Sequence, residues 1–168
     1  MLYEMTIPQF TKMLHNLNNI LGKAASFAES KKIEMDVLMQ SRLAPDQFNL
    51  TRQIQIACDT AKLFAARMAG KDAPVHDDKE ISFTQIKSRI EDVISYLSKF
   101  SAADFKDADD RKITQPRWEG KYITGFEYAS QHASPNLYFH LTTAYAILRH
   151  NGVDIGKKDF LGELPFKT

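Results

Sequence analysis

Ser134-Pro135-Asn136-Leu137-Tyr138-Phe139-His140, continued through residues 141–149 and closed by Asn151-Gly152, reads as one late helix. Ser134 suits the N-cap, and Pro135 suits the first helical position, where a missing N–H costs nothing. Gly152 supplies the left-handed residue that ends helices. Inside this helix Asn136 and His140 stand four residues apart and project from one face. Two nitrogen or oxygen donors at that spacing can hold a metal or a polar ligand.

Working outward, the same periodicity recurs three times. Phe10, Met13, Leu14, Leu17, Ile20, Leu21, Ala24 and Ala28 predict a long helix from Thr6 to about Lys31-Lys32, with Pro8 in its first turn. A short helical piece over 35–40 follows, and Leu43-Ala44-Pro45-Asp46 breaks the chain. Leu50, Ile54, Ala57, Ala61, Phe64 and Met68 form the seam of a second long helix that Gly70 stops. Ile56 and Leu63 draw a second, smaller apolar line on another side of it, fit to meet an irregular segment or a second copy of the chain. Ser82-Phe83-Thr84-Gln85 matches a capping box and opens a third long helix, ending near Phe100. Between this helix and the last, 112–114 and 122–124 read as two short strands of a hairpin, with 118–121 as the turn region. A short helical stretch over 126–132 precedes the last helix, and the tail from Asp154 folds back over the bundle. Four long amphipathic helices make an all-α four-helix bundle, with short extra helices and a small β-hairpin between the third and fourth.

The 168 residues form one domain spanning 1–168, long enough to bury roughly 70% of the unfolded surface. An apolar fraction of 43% and a charged fraction of 26% are ordinary for a soluble globular chain. The net charge is +1 with Lys and Arg spread along the chain, which argues against a nucleic-acid partner. Cys58 stands alone, so no internal disulfide and no multi-cysteine zinc site is available, and its mid-helix setting predicts an inert packed thiol. No run of apolar residues is long enough to span a membrane, and Met1-Leu2-Tyr3-Glu4 lacks the pattern of a signal peptide. A cytoplasmic location is expected.

Several stretches carry a family resemblance. They are Arg42-Leu43-Ala44-Pro45-Asp46, residues 52–59, Pro135-Asn136-Leu137-Tyr138-Phe139-His140, Ile147-Leu148-Arg149-His150-Asn151-Gly152 and Lys158-Asp159-Phe160-Leu161-Gly162. The chain resembles the DinB/YfiT-like helical-bundle superfamily of metalloenzymes, and more closely a domain-of-unknown-function branch of it. In that superfamily three histidines hold a divalent metal, nickel or zinc; one comes from the second helix and two, at i and i+4, from the last. Laid on Ile147-Leu148-Arg149, the pattern places His140 at the second histidine of the pair and Asn136 at the first. No histidine lies between His15 and His76, so the second helix offers only Gln53, Gln55 and Asp59.

At 100° per residue, Gln53 lies roughly 60° from the inward direction of the seam, Gln55 about 140° and Asp59 about 180°. Gln53 is therefore expected to face the interior, and Asp59 can do so only beside the second apolar line. A set of Asn136, His140 and Gln53 contains one good transition-metal ligand, so the superfamily's metal site is expected to be degenerate. The alternative is a weaker metal held by Asp59 and His140. Tyr138 and Tyr145 would line the wall of any pocket there. Beside this stands the plainer expectation: an interior His140 hydrogen-bonded to a neighbour, an Asn136 that caps its own turn, and Gln53 and Asp59 paired with Arg52, Lys62 or backbone.

Three functions follow. The first is a bundle that binds a small polar ligand or a partner near His140. The second, implied by the resemblance alone, is a divalent-metal-dependent enzyme of thiol-transferase type. The third is a structural homodimer formed through Ile56 and Leu63.

Overall fold

The computed structural model describes residues 1–80 and 82–167. Its long helices are α1 (Leu2–Lys31), α3 (Leu50–Ala69), α4 (Phe83–Leu97) and α6 (Ser134–His150). The short ones are α2 (Met35–Gln40), α5 (Gly125–Glu127) and α7 (Lys157–Leu161). Lys112–Ile113 (β1) and Ile123–Thr124 (β2) form the antiparallel hairpin, with Ile113 opposite Ile123. The all-α bundle with a small hairpin is thus the architecture that the periodicity predicts. Among the described residues no helix is long and apolar enough to cross a membrane.

The helices' ends follow local chemistry. Asn49 caps α3 by accepting from the Arg52 N–H, and Gly70 ends it in the left-handed conformation. Ser82 and Gln85 close a reciprocal capping box on α4. Two expectations need correction. Helix α1 begins at Leu2 rather than Thr6, because Leu2 is buried and the Thr6 hydroxyl bonds back to its carbonyl; Pro8, on the exposed side, is accommodated inside the helix. Ser134 caps nothing: its backbone is helical, with φ −64 and ψ −50. The helical path runs unbroken from Gly125 through a π turn (Tyr128–Ala133) into α6. Its cap is Thr124, which accepts from the Glu127 N–H while Glu127 accepts from the Thr124 N–H and hydroxyl. The widened turn falls just ahead of Pro135, whose ring would clash with the Gln131 carbonyl in regular α geometry. At the far end Gly152 (φ 92) closes the helix as expected, with the Val153 N–H returned to the Leu148 carbonyl.

Side-chain pairs give the helix directions. Gln53 meets His140 and Arg67 meets Tyr128, so α3 and α6 run antiparallel. The Tyr3 hydroxyl reaches the Phe100 carbonyl, which sets α1 antiparallel to α4, while Gln9 meets Tyr138 and α1 runs with α6. Arg89 reaches the Gln55 carbonyl and Tyr96 the Asp72 carbonyl, so α3 and α4 are parallel. The bundle is therefore up-down-down-up, and the link between α3 and α4 must return along the whole of α3, about 30 Å at 1.5 Å per residue. Thirteen residues at about 3.3 Å each suffice.

That crossover is tied down along its length. Asp72 accepts from Tyr96, and His76 accepts from Lys62. Asp78 binds Arg52 and Arg89, and Glu80 binds Arg89 and Gln55. Arg89, 1% exposed at its side chain, also lies 2.9 Å from Asp59. The core draws on all four long helices, and within it Phe10 of α1, Phe64 of α3, Phe105 of the segment after α4 and Tyr128 of the π turn form an aromatic cluster, with Phe64 stacked on Tyr128 at 5.9 Å. Burial pushes the Cys58 thiol up to about 12, the state of an inert packed cysteine.

Candidate functional site

Three polar pairs cross from α3 to the last helical path. The Gln53 side-chain oxygen accepts from His140 Nδ1 at 2.7 Å. The Asn136 amide donates to the Thr60 hydroxyl at 2.7 Å, and Arg67 donates to the Tyr128 hydroxyl at 2.6 Å. On one side the pairs come from positions 128, 136 and 140, and His132 completes a series at four-residue steps. On the other they follow one stripe of α3 that also holds Ile56, Asp59 and Leu63. Between the two stripes lies a cavity of about 470 Å³, closed at one end by Phe48 and at the other by Gln115-Pro116-Arg117 of the irregular segment.

His140 is the best-defined polar group in it. The Gln53 side-chain amide is oriented by donating its nitrogen to the Phe48 carbonyl, so its oxygen faces His140. Nδ1 therefore carries the proton, and Nε2 is left as a hydrogen-bond acceptor without a partner among the described residues. Burial, and secondarily the nearby Arg52 charge, hold the imidazole down to about 4. The ring is neutral at any ordinary pH.

This has a measurable consequence. The folded value lies below that of a free imidazole, so the unfolded chain takes up a proton between pH 6.5 and 4 that the folded chain refuses. His140's contribution is complete above pH 6.5 and is lost as pH falls toward 4. His76 and His132 are lowered too, by burial first and then by Lys62 and Arg117 respectively, and act in the same sense. Urea melts are expected to show stability declining from about pH 6.5, with His140→Gln reducing the slope by up to about 1.4 kcal/mol per pH unit. A flat plateau down to pH 5 would contradict this.

The structure brings Gln53, Asn136 and His140 to one place, and Asp59 to the same cavity. Asn136 does not cap its own turn, because that turn is already interior to a longer helix; it bridges to α3 instead. Asp59 lies 2.8 Å from Lys62 and 2.9 Å from Arg89. Gln55, the third candidate on α3, is buried under the crossover with Glu80 and Arg52. Tyr138 and Tyr145, expected at the pocket wall, lie elsewhere. Two and five residues from their neighbours in the series, they turn to other faces: Tyr138 accepts from Gln9 of α1, and Tyr145 donates to the Ile155 carbonyl and packs edge-on to Phe160. Ile56 and Leu63 line the cavity facing the irregular segment.

The donor set does not fit the superfamily's metal. Among the described residues no three His, Cys, Asp or Glu side chains come close enough to share an ion. Where the second helix should offer an imidazole, Gln53 offers an amide oxygen already bonded to His140 Nδ1. Where the last helix should offer its first imidazole, Asn136 turns its amide nitrogen to Thr60. Asp59 and His140 make no weaker substitute, because Asp59 is neutralised by two cations.

The residues that the sequence did not disclose are Tyr128, His132, Arg67 and Arg117. Tyr128 and His132 were in reach: they extend the spacing of Asn136 and His140 upstream by two further steps. Reading Ser134-Pro135 as a helix start hid them.

An up-down-down-up bundle with a polar cavity between its second and last long helices is a DinB-like fold. The chain belongs to the family described as Domain of unknown function (DUF1993), which it matches over residues 2–161. It is similar to the crystal structure of a DinB family member protein from Shewanella denitrificans, solved at 1.83 Å resolution. The two are 60% identical with a TM-score of 0.97, over 100% of this chain and 96% of that one. No curated protein matches the chain.

Proposed function

We propose that this chain binds a small polar molecule in the cavity between α3 and α6, without a metal of the superfamily type. The observation that carries this is the free Nε2 of His140. It is an acceptor with its proton fixed on the opposite nitrogen by an oriented glutamine, and it borders a space of about 470 Å³. That volume is within the usual range for small-molecule sites. An interior histidine serving packing alone would have both nitrogens engaged or enclosed. The cavity walls also pair an apolar side, Ile56 and Leu63, with polar groups from the facing helix, the mixture that orients a ligand while excluding water.

Leu63→Trp, which fills the cavity from α3, tests this. A fragment mixture screened by ligand-observed NMR is expected to yield binders to the parent protein that are lost in the variant, with the variant's Tm held within a few degrees. Hits that persist in the filled protein, or none at all, would overturn the reading. Elemental analysis alongside is expected to find well under one equivalent of metal in both the parent and His140→Ala. One equivalent in the parent that disappears in the variant would restore the metalloenzyme.

A further inference from the structure

The two ends of the cavity differ in chemistry. Near Phe48, His140 offers an acceptor. At the other end, around the π turn, the polar side chains are donors. Arg67 donates to the Tyr128 hydroxyl, and Arg117 donates to His132 Nε2 at 2.9 Å. Neither guanidinium has a carboxylate partner among the described residues, and Asp59, the one acidic side chain lining the cavity, already faces Lys62 and Arg89. Because Arg117 donates to Nε2, the His132 proton is on Nδ1, and that N–H is buried with no acceptor. The side-chain nitrogen of Gln115 is likewise buried and unpartnered. Buried donors ordinarily find acceptors, and a guanidinium with no carboxylate beside it, half-buried Arg67 or exposed Arg117, is suited to an anion.

We propose that this end of the cavity recognises an oxyanion, the carboxylate or phosphate group of a small organic molecule, held between Arg67 and Arg117 beside His132 and Gln115. The rest of the molecule runs along Ile56 and Leu63 and offers a hydroxyl or N–H to His140 Nε2. The cluster is compact enough for both charges to act together: after burial, Arg117 and then Arg67 hold the His132 imidazole below its ordinary value. Arg suits the role because its planar fork matches a carboxylate or phosphate with two hydrogen bonds. This inference rests on the reading of the cavity as a ligand site.

The test titrates the labelled full-length protein with benzoate, inorganic phosphate and benzamide, following the ring protons of His132 and His140 by NMR. Benzoate or phosphate is expected to shift His132 saturably, and benzamide to bind at least about tenfold more weakly than benzoate. Arg67→Gln and Arg117→Gln should each weaken the oxyanion by about tenfold or more, the effect of losing one charged hydrogen bond, while exposed Lys157→Gln leaves it unchanged. Saturation by benzoate alone assigns a carboxylate, and by phosphate alone a phosphate ester. Benzamide binding as well as benzoate, in the parent protein, would overturn the oxyanion and leave the cavity reading intact. No shift at either ring with any of the three would overturn both.

Discussion

Arg89→Met is expected to lower stability by about 3–5 kcal/mol and Tm by roughly 10–15 °C, the largest effect of any single polar substitution in this chain. Methionine fills much the same space, so little of the loss comes from packing. Arg89 is enclosed and is the common partner of Asp59, Asp78 and Glu80. Without it Lys62 still faces Asp59 and Arg52 still faces Asp78, but among the described residues Glu80 keeps only neutral partners, the Gln55 amide and a backbone N–H. Uncompensated charge beneath the crossover is what costs, so pairing the substitution with Asp59→Asn and Glu80→Gln should recover much of the loss.

The effect also carries a pH signature. Burial raises the Asp78 and Glu80 carboxyls, but hydrogen bonds, from Arg52 and Arg89 to Asp78 and chiefly from Arg89 to Glu80, outweigh it and hold both below their ordinary values. Their stabilising contribution is full above the unfolded carboxylate range near 4 and is lost as pH falls through the folded values. The variant keeps only the part that Arg52 supplies to Asp78, so the difference between parent and variant should narrow at pH 4 and below. Urea melts of the two across pH 7 to 3.5 measure it; a loss under 1 kcal/mol at pH 7, or a gap independent of pH, would contradict the account.

Gly125→Ala is expected to cost about 2–3 kcal/mol, because the added methyl has nowhere to go. Its Cβ would press into the backbone carbonyl oxygen of Ala108 and lie 3.0 Å from the Met68 side chain. Helix α5 cannot retreat, being held by the Thr124–Glu127 box and by the Phe126 N–H on the Asp109 carbonyl. The strain then passes to Tyr128, three residues on, and loosens its bond to Arg67. A thermal melt should show Tm lower by roughly 5–10 °C, and NMR should show the His132 ring displaced while His140, beyond the π turn, stays in place. An unchanged Tm would mean that the 108–109 segment yields freely.

Much of the fold was legible because its signals are local. The 35–40 helix, the Gly70 end of α3, the Ser82 box and the Gly152 stop each depend on a few adjacent residues. Parallel α3 and α4 were not legible, since a link of thirteen residues permits either direction; what decides is the distant set of partners for Arg89 and Tyr96. At the site, turning 100° per residue was enough to find Gln53 beside His140. The same arithmetic, applied to α6, places Tyr138 and Tyr145 off the face of Asn136 and His140. Arg117 and Gln115 were out of reach, because an irregular segment carries no periodicity from which to read a direction.

The π turn has a further consequence, for phase. In a regular α-helix each step of four residues overshoots a full rotation by about 40°, so a row of four such side chains drifts through about 120° and leaves the groove it started in. A π turn, with roughly 4.4 residues per rotation, undershoots over the same four residues by a comparable angle. Placed between Tyr128 and Ala133, the slack winding cancels the overshoot that accumulates from Asn136 to His140. Four side chains spread over 13 residues thus address one cavity, like marks on a vernier brought back into line. Rewinding those six residues to regular pitch, with none removed, would swing Tyr128 about 100° out of alignment, while Asn136 and His140 kept their places.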